Sequence, residues 1–209
     1  ISGHGGCTMI QVYAGVKSHF LKTYPMSTES EMPGTLEDLI RFIGTPDTLI
    51  SDNSKVQISK KVKDILHMYQ ISDYQCEPHY QNQNWAERMI QELKRYVQTV
   101  MDRTGTPAEY WLLCTLYMTS LLNVMSLPSL KDKTPSEIVF GTKPDISAFL
   151  QFRWWEPVYY KSSKGESSGR WVGVAEHQGD ALTYLVLSDA TKQVLTRSMV
   201  RSAITTTDP

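Results

Sequence analysis

The chain has 209 residues, an apolar content of 41%, a charged content of 21% and a formal net charge of −1. That length and apolar share suit one medium domain, or a domain plus a small module, and exclude a disordered polymer. Near-neutral charge excludes bulk electrostatic attraction as the basis of any nucleic-acid binding, but leaves room for one basic face. The cysteines are Cys7, Cys76 and Cys114. An odd count with no Cys-x-x-Cys pair suits reduced thiols in an intracellular compartment. The longest apolar stretch, Ala108 to Met125, is interrupted by Glu109, Thr115, Ser120 and Asn123. It reads as a buried helix and not a membrane span, so no membrane partner is expected.

Taken in chain order, residues 9–13 and 19–24 read as strands joined by a turn at Ala14 to Lys17. A helix is predicted from Ser30 to Ile43, stopped by Gly44 and Pro46. Thr48 to Ser51 reads as a short strand, Lys60 to Gln70 as a helix and Tyr74 to Cys76 as another short strand. The helix from Trp85 to Arg103 is the best defined. Ala86, Met89, Ile90, Leu93, Val97, Val100 and Met101 form a stripe of helical period, and Glu87, Gln91, Lys94, Arg95 and Gln98 lie opposite. Capping boxes are read at Thr106 to Glu109, opening the long apolar helix, and at Thr134 to Glu137, opening a shorter one that ends at Gly141. From Phe152 onward, four or five short strands alternate with polar turns, and Ser162 to Gly169 reads as a flexible loop. The order gives an α/β class, residues 1–148 forming the main domain and 149–209 a small β-barrel-like module.

Two segments carry the chemistry. Asp52 closes the apolar run Leu49-Ile50-Ser51, so its carboxylate would project from a strand end. Glu87 falls in the first turn of the Trp85 helix, with 34 residues between the two acids. Carboxylates on a rigid strand and helix suit magnesium and phosphoryl transfer. As bland alternatives, Asp52 is a turn residue and Glu87 a favourable charge at a helix start.

With these residues the chain resembles the integrase of copia-type retrotransposons, especially diatom and other microalgal forms. The resemblance runs through "LISDNS", "EPHYQNQNWAERMIQELKR", "TPSEIVFGTKPDIS", "RWWEPVYY" and "GRWVGVAEHQGDALTYLVL". It implies an RNase H-like catalytic core with an Asp–Asp–Glu triad, in which Asp52 and Glu87 match the second and third members. They would be catalytic and would hold Mg2+ or Mn2+. It further implies DNA 3′-processing and strand transfer, DNA partners (element ends and target), homo-oligomers and a nuclear location when active. Lys94 shares Glu87's face two turns along, beside Arg95 and Gln91, and is expected to contact DNA. So are Asn84 and Gln83 in the polar segment before the helix, where Asn84 alternatively serves as an N-cap. The family usually has a Pro-Trp-Gln-Asn-like sequence there, and "YQNQNW" departs from it.

The triad's first Asp is missing. No Asp occurs before Asp38, and Glu29 and Glu31 fall after the first two strands. The expectation is a chain that begins downstream of that Asp, lacking the first strand or part of it, as an N-terminally truncated fragment or a decayed copy, weak or inactive alone. Rival readings are a remnant that binds DNA or protein, and another RNase H-like nuclease or transposase. Lys55, Lys60, Lys61 and Lys63 read first as a solvated face. His4 and Cys7 make only half of a zinc-type ligand set. Trp154, Trp155, Trp171, Tyr159, Tyr160 and Tyr184 read mainly as the core of the β-module.

Overall fold

A computed structural model describes residues 6–51, 59–75, 85–163, 165–176 and 182–204. Strands β1 (Met9–Ala14) and β2 (Leu21–Met26) pair antiparallel, Met9 opposite Met26 and Ala14 opposite Leu21. The alternation along this hairpin sends side chains to two different helical layers. On one face Met9, Tyr13, Tyr24 and Met26 pack against helices α1 (Met32–Ile43) and α2 (Lys60–Met68). The other face meets helix α4 (Trp111–Val124), where the buried Thr23 hydroxyl donates to Thr119 Oγ1 at 3.3 Å.

Between α1 and α2 runs β3 (Thr48–Ser51), paired in parallel with β4 (Ser72–Gln75). A parallel pair joined through a helix is the βαβ unit, and both strands therefore end on the same side. Among the described residues the four strands make two separate pairs, not one continuous sheet.

Helix α1 has an entry that the sequence reading did not anticipate. A 3-10 turn, Glu29–Glu31, precedes it, and the Glu31 carboxylate accepts the backbone N–H groups of Ser27 and Thr28. The reading of Thr106 to Glu109 as a capping box needs correction. Residues Ala108–Tyr110 form a 3-10 turn behind Pro107 with no side-chain cap. Thr106 is committed elsewhere: its buried hydroxyl accepts the Trp154 indole N–H at 2.9 Å. At Thr134 to Glu137 the N-cap half of the expected box forms. Thr134 Oγ1 accepts Glu137 N–H at 3.0 Å at the head of α5 (Pro135–Phe140). Gly141 then ends the helix with φ of 74°, a left-handed conformation that costs glycine little.

The remaining strands are β5 (Pro157–Ser162), β6 (Gly165–Val174), β7 (Tyr184–Ser188), β8 (Val194–Arg197) and β9 (Val200–Ser202). They form one antiparallel sheet in the order β8-β7-β6-β5-β9. The sheet must curl. Three Cα–Cα steps from Arg197 to Val200 reach at most about 11 Å, whereas five flat strands would hold their edges about 19 Å apart. Residues 165–169, read from sequence as loop, are the first half of β6. They pair with β5, Gly165 opposite Ser162 and Gly169 opposite Val158, and two side-chain ties add to the ladder: Ser167 Oγ donates to Ser162 Oγ, and Arg201 on β9 grips Glu166 through two bonds of 2.6 and 2.7 Å. Gly169 lies so close to β7 that an added Cβ would sit 2.6 Å from Leu187 O.

At β6 and β7 the sheet packs on both faces. Val158, Tyr160, Trp171, Tyr184 and Val186 fill its own interior. Val172 and Leu187 turn outward and join Leu93, Val97, Met101, Cys114 and Trp154 in a second core. That core ties the sheet to α4 and to helix α3 (Trp85–Thr104). A bulge interrupts the β6–β7 register between Trp171 and Gly173.

Candidate functional site

Helix α3 carries most of the candidate residues that are described. Leu93, Val97 and Met101 fix it to the core, which leaves its opposite face to solvent. Glu87 lies half-buried in the first turn. Gln91, one turn on, offers its amide to Glu87 Oε1 at 3.5 Å, the long limit of a hydrogen bond. Lys94, two turns from Glu87, is exposed, and its ammonium makes no ion pair among the described residues. Arg95 is exposed as well. Its guanidinium stands 3.8 Å from the Glu92 carboxylate and 5.5 Å from the Tyr96 ring centroid. Contacts of that length at an exposed position contribute little and leave Arg95 available to another anion.

The head of α3 is seated against the β1–β2 turn. The Trp85 indole tilts over the His19 imidazole with centroids 4.7 Å apart, and α3 also packs on β1. Trp85 Nε1 is buried with no hydrogen-bond partner among the described residues. Sequence reasoning missed His19. Its one local sign is a position in a tight hairpin turn, where it takes φ of 57°. No periodicity links it to Trp85, 66 residues later in the chain.

Strand β3 ends at Ser51, and Asp52, Asn84, Gln83 and Lys55 lie outside the described residues. The structure thus brings together Glu87, Gln91 and Lys94 with Arg95 beside them. The hairpin spanning residues 9–26, against which the head of α3 is seated, contains no Asp or Glu. Among the described residues no group of three His, Cys, Asp or Glu side chains is placed to hold a metal ion. Among them, too, no helix is long and apolar enough to cross a membrane.

No family model matches the chain, and no curated protein matches its sequence. Solved structures do match. One is a chain in the cryo-EM structure of the simian T-cell lymphotropic virus intasome in complex with the PP2A regulatory subunit B56 gamma. The likeness covers 93% of this chain and 74% of that one, at 18% identity and a TM-score of 0.50. At that identity the likeness is one of fold: the chain has a mixed α/β, integrase-like fold.

Proposed function

We propose that the chain derives from a retroelement integrase of the copia type, with an RNase H-like core over residues 1–148 and a β-module over 149–209. The parent activity is metal-dependent DNA 3′-processing and strand transfer. The observation that carries this reading is the integrase-like fold over 93% of the chain, with Glu87 at the head of a helix whose free face is polar and partly basic. Asp52, one residue beyond the end of β3, and Glu87 are the proposed ligands for Mg2+ or Mn2+. Hard carboxylate oxygens are the donor type those ions take. The described residues include only one of the two, so no catalytic step is assigned to a bound ion. Lys94, Arg95 and Gln91 on α3, with Asn84 and Gln83 before it, are proposed to meet DNA phosphates and sugars. Such contacts position a duplex without reading its sequence. The neighbour's assembly as an intasome with a regulatory subunit supports nucleic-acid and protein partners, and a nuclear location follows if DNA is the substrate.

A second reading, a catalytically inactive remnant that still binds DNA or protein, is favoured by one observation. The hairpin against which α3 is seated supplies no carboxylate from residues 9–26. A strand-transfer assay with a labelled duplex, in Mg2+ and in Mn2+, tests both. Weak product that is lost in Asp52→Asn and in Glu87→Gln supports the first reading, and no product in either metal supports the second. Robust transfer that survives Asp52→Asn would sink the assignment of the site.

A further inference from the structure

A cleft of about 790 Å³ opens between β2, the last turn of α1, helices α4 and α5, and the bulged part of β6. Its size lies within the range of about 300–1,000 Å³ usual for small-molecule sites. One wall is a triad of phenyl rings. Phe140 stands edge-on to both Phe20 and Phe42, with centroids 5.7 Å apart in each pair. Phe140 nevertheless remains 46% exposed, so part of this ring is open to a ligand.

One cation is set into this apolar wall. Lys22 is half-buried, and its Nζ lies 4.0 Å from the Phe42 ring centroid. It makes no ion pair among the described residues. Arg41, at the same lip, is already engaged by Asp38 at 2.8 Å. Lys22 is therefore the charge left to meet a ligand. A partly desolvated ammonium lacking a carboxylate gains more from an incoming anion than an exposed one does. From α4 the Tyr117 and Ser120 side chains add hydroxyls to the lining, neither with a hydrogen bond among the described residues. The opposite lip carries the exposed Glu176, which disfavours a second negative charge on the same ligand.

We propose that this cleft binds a small aromatic monoanion, its ring between the phenyl wall and the sheet and its anionic group on Lys22. Anilinonaphthalene sulfonate and its uncharged analogue phenylnaphthylamine separate the two halves of the claim when titrated into the full chain. Single-site saturation by both probes is expected. Lys22→Met should weaken the sulfonate roughly tenfold, as for loss of a charge-assisted bond, and leave the neutral amine unchanged, which also reports an intact cleft. Phe140→Ala should weaken both probes. Should Lys22→Met lose both probes, Lys22→Arg decides: restored sulfonate binding supports the proposal and continued loss overturns it. Sulfonate affinity indifferent to Lys22→Met, or both probes indifferent to Phe140→Ala, overturns it as well. Neither residue belongs to the polar face of α3, so this outcome and that of the strand-transfer assay are independent.

Discussion

Asn123 does for β2 what a neighbouring strand would do. Its side-chain Nδ2 donates to Leu21 O at 2.7 Å while its Oδ1 accepts Leu21 N–H at 2.8 Å, in a buried site on α4. Asn123→Ala strands two buried backbone groups and is predicted to cost about 2–3 kcal/mol, read as a lower urea midpoint. Read along the sequence, Asn123 is merely a polar interruption of an apolar stretch, because its partner lies 102 residues away. Three other buried groups set the alkaline limit. Burial pushes the Cys114 thiol from 9.0 up to about 12. It likewise pushes the Tyr13 and Tyr24 phenols from 10.0 up to about 12, the Thr35 hydrogen bond partly opposing this at Tyr13 and the Asp38 charge adding to it at Tyr24. All three are neutral when protonated, so the unfolded chain gives up these protons first. Their contribution to stability is complete below pH 9 and is lost as pH rises from there through about 12. Urea midpoints should be level from neutral pH to 9 and fall steadily above it. In a chain carrying Cys7→Ser and Cys76→Ser, the remaining thiol should react with thiol reagents only on unfolding.

At the scale of elements, the helices and short strands were legible where hydrophobic periodicity was clean. The stripe of α3 emerges at its expected place because burial of Leu93, Val97 and Met101 fixes it, and the run Thr48 to Ser51 because it pairs with β4 and rests the half-buried Leu49 on the first core. Local rules failed where a tertiary partner outbid them. Thr106 has the right neighbours for a cap, but the Trp154 indole takes its hydroxyl. The serines and glycines of residues 165–169 look like loop until β5 pairs with them and Arg201 of β9 grips Glu166. Of the candidate site, Glu87, Gln91 and Lys94 could be placed on one face from helical spacing alone. The seat of α3 on His19 could not, since it depends on the docking of two distant segments. The Trp154–Thr106 bond links the sheet's approach to the α3–α4 corner, and Trp154→Phe should lower stability by about 1–2 kcal/mol through that bond.

The whole molecule has a core that crosses its own sequence halves. Leu93, Val97 and Met101 of α3 share one cluster with Trp154, Val172 and Leu187. Helix α3 and the C-terminal sheet are therefore predicted to unfold in one transition, tryptophan fluorescence and far-ultraviolet circular dichroism giving the same midpoint. The same packing fixes which face of α3 is left for the proposed DNA contact. A polar helix face held rigidly on a near-neutral protein should bind duplex through a few phosphates only, with a correspondingly shallow salt dependence. The most direct test is a fluorescence-anisotropy titration of a labelled duplex across a salt series, for the natural chain and for Lys94→Ala and Arg95→Ala. Measurable binding at low salt is expected, with a salt slope reduced by about one for each substitution. Absence of binding at low salt, or a slope that neither substitution changes, would contradict the proposed role of this face.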